Sequence, residues 1–201
     1  MKSEILNYVR ISCAVCVRSE FILERELISA LNHKIDPATI REVILQTYLF
    51  SGFASTINAM IVFNRLVPGN KDYLREVGES LELWRERGIE LCKQVYGNQF
   101  EKMVENMNQL HPDLADWMII EGYGKVLSRP FLTPKLRELM IVAMTAVLNV
   151  ERQFHSHVRG ALNVGAKPDE ISKVFAETKS FMDPAAIPTL EKLLEQLLTR
   201  Q

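Results

Sequence analysis

Cysteine is scarce in this 201-residue chain, with three residues at positions 13, 16 and 92. Three are too few for a disulfide scaffold, so a reducing compartment, the cytoplasm, is expected. An excess of one charge is also missing: 24 Lys and Arg face 25 Asp and Glu. That balance gives no electrostatic footprint for nucleic acid or an anionic membrane, which leaves small molecules and proteins as partners. Long apolar runs are nearly absent. Residues 43–63 carry no charge, but Gln46, Thr47, Ser51, Gly52, Ser55, Thr56 and Asn58 interrupt them, which fits buried helices better than a membrane span. Charge in Met1-Lys2-Ser3-Glu4-Ile5 falls where a signal peptide needs its apolar segment. No run of alternating β-branched residues is bounded by hairpin turns, so the expected fold class is all-α. No metal is expected: His33 and His111 are scattered, and His155 and His157, two residues apart, point to different sides of one helix.

What is present is first a diluted repeat. A shift of 131 residues sets Ala30-Leu31-Asn32, Pro37, Ile40 and Val43 on Ala161-Leu162-Asn163, Pro168, Ile171 and Val174, six identities in 14 positions. Chance composition gives about one. Thr47/Thr178, Phe50/Phe181 and Ala54/Ala185 continue the match without a gap. Two copies of a helical unit are expected, 1–69 and 111–201, joined by charged helices over 70–110 in one compact unit. Pro37 and Pro168 suit a first helical turn, where the missing amide has no intrahelical partner. Gly165 suits a left-handed helix end, and Lys34 at the equivalent place predicts a differently made cap.

Between the copies, Lys71 to Tyr96 reads as one helix with a heptad stripe of Leu74, Val77, Leu81, Trp84, Leu91 and Val95, plus Gly88. Such a stripe packs either along its own chain or against a second subunit, and a homo-oligomer is expected. His111-Pro112-Asp113 opens a helix toward Leu127, and Thr133-Pro134 caps a helix to Asn149 that is apolar on all sides from Leu139 to Leu148 except at Thr145. That helix should be central.

Glu138 enters this helix, where a carboxylate is costly to bury unless something hydrogen-bonds it or it keeps a proton. A solvated carboxylate, or one paired with Lys135 or Arg137, is the plainer alternative. His157 lies on the apolar face of the next helix, in a stripe with Val150, Gln153 and Gly160, and could move a proton if that stripe faces a cleft. A satisfied core histidine is its alternative. Cys13 and Cys16 form a Cys-x-x-Cys that could be redox-active. Under the 131-residue shift they fall on Met144 and Val147, inside the apolar helix, which favours buried structural thiols.

Glu138, Val150, Gln153 and His157 have the spacing of the Glu-x11-Cys-x2-Cys-x3-His signature of the alkylhydroperoxidase D superfamily, with both cysteine positions replaced. Glu121-Gly122-Tyr123-Gly124-Lys125-Val126-Leu127-Ser128-Arg129-Pro130 and His157-Val158-Arg159-Gly160-Ala161-Leu162 resemble segments of its cysteine-free branch, the carboxymuconolactone decarboxylases. Glu42-Val43-Ile44-Leu45-Gln46 with Phe50-Ser51-Gly52 resembles a segment that follows them in that family but precedes them here. The resemblance implies an alkylhydroperoxidase D-like helical bundle built from two repeats. It also implies a cofactor-free acid/base lyase acting on a small carboxylated lactone. By resemblance Glu138 and His157 are catalytic, Arg129 binds an anion with Arg152 as a second clamp, and Tyr123, Phe50 and Asn58 line the substrate. Tyr123 stands where the family usually carries tryptophan, and Phe131 replaces a glycine. Two other functions remain open from the residues: thiol-dependent peroxidase chemistry at Cys13 and Cys16, and a catalytically silent oligomeric scaffold.

Overall fold

In the computed structural model, which describes residues 3–75 and 78–199, the chain is all-α. The first group of helices is α1 (Ser3–Val17), α2 (Glu20–Asn32), α3 (Pro37–Gln46) and α4 (Tyr48–Leu66). Then come α5 (Leu81–Tyr96), α6 (Phe100–Leu110), α7 (Pro112–Trp117) and a π-helical stretch, Met118–Leu127. The last group is α8 (Pro134–Val147), α9 (Glu151–Asn163), α10 (Pro168–Thr178) and α11 (Ile187–Thr199). The bundle is alkylhydroperoxidase D-like.

Local chemistry sets these boundaries. Asp36 accepts the amide of Thr39 at 3.0 Å with Pro37 in the first turn of α3, and Thr133 accepts the amide of Leu136 at 3.3 Å with Pro134 in the first turn of α8. The start and end of α2, residues 20 and 32, lie 131 positions before those of α9, residues 151 and 163. Left-handed residues recur at the same offset, Arg18 with Asn149 and Lys34 with Gly165. Lys34 therefore does not make a different cap. It takes the glycine conformation at φ 58°, despite a cost of about 1–2 kcal/mol, and its amide donates to Leu31 O as that of Gly165 does to Leu162 O.

Helix α8 is buried continuously from Arg137 to Ala146, as its all-round apolar pattern predicts, and it lies between α1, α9 and α10. One apolar cluster joins α1–α4 to α8–α11; a second packs Leu91, Cys92 and Val95 of α5 on Tyr123, Ile141 and Met144. Two glycines let α5 meet the π-helical stretch. A Cβ on Gly124 would lie 1.8 Å from Trp84 O, and one on Gly88 would lie 2.1 Å from Ile119 O.

The expected helix over Lys71–Tyr96 begins only at Leu81. Upstream, Asn70 receives Arg41 Nη1 at 2.8 Å, Arg41 also lies over the Tyr73 ring, and Leu74 O accepts Arg129 Nη2 at 2.6 Å. These contacts hold 70–75 as an irregular strap, Gly78 turns left-handed at φ 80°, and Ser80 caps the helix through the amide of Leu83. Val77 of the proposed stripe lies outside the described residues. Gly88, Leu91 and Val95 are buried against their own chain, whereas Leu81 is exposed.

Candidate active site

Helix α8 places Glu138 one turn inside the core, and α9 crosses it with His157. The two meet: His157 Nδ1 donates to Glu138 Oε2 at 2.9 Å, and both side chains are buried. Neither alternative partner of Glu138 is available, because Lys135 pairs with Glu170 and Arg137 with Glu42. Gly160, one turn beyond His157, makes room for the carboxylate. A Cβ there would sit 2.8 Å from Glu138 Oε2 and 2.7 Å from Val95 Cγ1.

His157 opens onto a cavity of about 770 Å³. Phe50 stands edge-on to the imidazole, with ring centroids 5.7 Å apart. Leu49, Met103, Met107, Leu114 and Met118 form apolar walls, while Tyr96, Tyr123, Arg152, Gln153 and Glu121 add polar atoms. Gln153, at one replaced cysteine position, thus lines the same cavity as the histidine.

Two phenols and a thiol near Glu138 stay neutral. Burial raises the phenols of Tyr96 and Tyr123 far above their usual range, and burial followed by the charge of Glu138 does the same to the Cys92 thiol. Tyr123 Oη donates to Tyr96 Oη at 3.1 Å, which leaves the hydrogen of Tyr96 to be given to something in the cavity. Tyr96 was not singled out by sequence reasoning. Its only signal is its place at the end of α5, whose approach to α9 is a long-range fact.

Two expected site residues are elsewhere. Arg129 is bound by Glu42, at 2.9 and 3.1 Å, and lies over the Phe131 ring, so it does not face His157 and its charge is already neutralised. Glu42 also receives Arg137 Nη2 at 2.7 Å, which makes one buried carboxylate the partner of two guanidinium groups. Asn58 is exposed in a separate depression with Arg18 and Leu23, because α4 breaks at Gly52 (φ 83°, ψ 163°) and re-aims the residues beyond it. Arg152, by contrast, does line the cavity.

Cys13 is fully enclosed and Cys16 nearly so, and neither lines the His157 cavity. No insertion shifts them in α1 relative to α8, and burial pushes the Cys16 thiol up to about 12 and the Cys13 thiol higher still. Among the described residues no group of three or more His, Cys, Asp and Glu side chains is arranged to hold a metal ion, and no helix is long and apolar enough to cross a membrane.

Residues 112–193, which carry Tyr123, Glu138, Arg152 and His157, match the sequence profile of the carboxymuconolactone decarboxylase family. Over these residues the chain is similar to that family. Relatives extend the similarity in two directions. Peroxisomal protein 2 of Schizosaccharomyces pombe is 26% identical over 166 residues, covering 80% of this chain and 77% of that protein. Peroxisomal protein 2 of Saccharomyces cerevisiae is 23% identical over 164 residues, 68% of this chain but only 58% of that longer protein. The 4-carboxymuconolactone decarboxylase of Acinetobacter baylyi is 28% identical over 89 residues, 44% of this chain and 66% of the enzyme. The match to the Schizosaccharomyces protein is too long to lie within 112–193 and includes part of the first half.

Proposed function

We propose that the chain is a cofactor-free acid/base lyase that decarboxylates a small carboxylated lactone or a related unsaturated acid. The observation that carries this reading is the buried Glu138–His157 pair, at 2.9 Å, at the edge of a cavity large enough for such a molecule. A carboxylate only accepts, so Glu138 keeps a proton on Nδ1 and leaves Nε2 as the imidazole nitrogen that serves the substrate.

Arg152 is the cation available to the substrate's carboxylate, now that Arg129 is taken by Glu42. In the proposed step the bond to the carboxyl carbon breaks and carbon dioxide leaves. The electron pair passes to the conjugated lactone oxygen, where the Tyr96 hydroxyl can donate to it, and His157 as imidazolium delivers a proton from Nε2 to carbon. Solvent then restores that proton. Glu138 positions the ring and balances its charge.

The test is turnover of carboxylated lactones, followed as carbon dioxide release. His157→Gln should lower kcat by at least about 100-fold, the usual scale of general acid catalysis. Glu138→Gln should lower kcat while leaving KM nearly unchanged, with the circular dichroism of both variants intact. A His157→Gln protein with wild-type kcat would end the proposal.

The thiol peroxidase alternative needs reagents to reach Cys13 or Cys16, and their burial argues against it. The scaffold alternative gains nothing from a site that retains an enclosed acid/base pair and an open cavity.

A further inference from the structure

A second, polar cleft of about 640 Å³ adjoins the His157 cavity, and the two share Tyr96, Met103, Met107 and Ser156 as walls. Its charged lining is basic throughout: Lys102 of α6 with His155 and Arg159 of α9, and no aspartate or glutamate. On α9, Arg152, His155 and Arg159 follow at three and four residues, a basic stripe that runs from the apolar cavity into the cleft.

This arrangement works against the free protein. His155 and Arg159 are four residues apart on one helix, and burial together with the Arg159 charge holds the His155 ring below its ordinary pKa, so protonating that ring without an anion nearby is disfavoured. Arg129, Arg137 and Lys135 each have a carboxylate partner, whereas Lys102, Arg152 and Arg159 make no ion pair among the described residues. Residues 97–99, which enter α6, also line the cleft. Glu121 lines the apolar cavity but not the cleft, and its oxygen is held by the Tyr48 hydroxyl at 3.1 Å. The anionic end of a ligand is therefore repelled from one side and attracted to the other.

We propose that the two cavities form one site for an amphipathic anion, its apolar body beside His157 and a phosphate or carboxylate head between Lys102, His155 and Arg159. This deepens the proposed function by extending its substrate beyond a bare lactone acid, and it rests on that reading only for the chemistry, not for the binding.

Calorimetric titration with octyl phosphate, octanoate and 1-octanol tests it. At least one anion should bind about ten-fold or more tightly than the alcohol, the scale of one or two charge-assisted hydrogen bonds. The tighter of the two identifies the head group. In the Lys102→Gln/Arg159→Gln double variant, whose side chains are exposed and whose thermal unfolding should match the wild type, that preference should collapse toward the alcohol's affinity while the alcohol binds as before. Equal binding of all three, or an anion preference that survives the double substitution, overturns the proposal. Charge-dependent binding that persists when no carboxylated lactone is turned over would sink the lyase reading and leave this one standing.

Discussion

A glycine and a histidine set much of the local chemistry. Gly160 exists where the Glu138 carboxylate and the Val95 methyl come too close for any Cβ. Gly160→Ala should displace Glu138 from Nδ1 of His157, lower kcat and destabilise by about 1–3 kcal/mol, the usual range for overpacking, measured by urea unfolding beside turnover. His155 gives a pH signature. Its ring is held below the ordinary value of 6.5, first by burial and then by Arg159. As pH falls through 6.5 the unfolded chain takes up this proton before the folded one, so this group's contribution to stability is lost from there downward until the folded ring also titrates. Proton NMR should place the His155 midpoint below that of free histidine, and Arg159→Gln should raise it part of the way. A midpoint unmoved by the substitution would show that Arg159 exerts no charge effect on His155. At this scale the sequence was partly legible. Glu138 and His157 are each legible as candidates, on predictable helices joined by a short turn, but their spacing alone leaves open whether the two side chains meet. The pairing of Arg129 is not legible, because its partner, Glu42, is 87 residues away and nothing local marks a carboxylate that will be shared by two arginines.

Among the helices, the contact between α5 and the π-helical stretch is the least forgiving. The atoms facing the absent side chains of Gly88 and Gly124 are backbone carbonyl groups, which cannot swing aside as a flexible side chain would. Gly124→Ala should therefore separate the two elements, with a loss of at least about 2–3 kcal/mol and a fall in thermal midpoint. Because Tyr96 ends α5 and Tyr123 lies in the π-helical stretch, their 3.1 Å hydrogen bond should break as well. The ends of α2 and α9 and the starts of α3 and α10 are legible from the repeated Ala-Leu-Asn, the prolines and the 131-residue shift. The strap at 70–75 was not, since Arg41 and Arg129, both distant in sequence, override the helical periodicity there. Wider helical turns at 118–127 were hidden too, because i to i+5 bonding has no compositional mark comparable to a cap.

Across the whole molecule, one buried and one partly exposed ion pair tie the first group of helices to the last. Glu42 in α3 holds Arg137 in α8, both almost wholly enclosed, and Arg10 in α1 holds Glu177 in α10. Glu42→Ala removes the carboxylate that Arg129 and Arg137 share and should cost about 3–5 kcal/mol, in a single unfolding transition for both halves. A fragment of residues 111–201 should fail to fold alone, since α8 would lose its packing against α1; a sharp urea transition in that fragment would contradict this. Thiol reagents should likewise leave Cys13 and Cys16 untouched until the whole chain unfolds.

Phe50 and its neighbours at 48–53 belong to the first half of the chain, whereas the proton-handling pair belongs to the second. The wall that judges a ligand's shape and the groups that would act on it can therefore vary independently. Substitutions at Leu49, Phe50 or Phe53 can retune which molecules are accepted without disturbing the contact between Glu138 and His157. That separation makes the scaffold readily evolvable, and it gives an engineer a short segment in which to change selectivity while the reactive machinery is inherited intact.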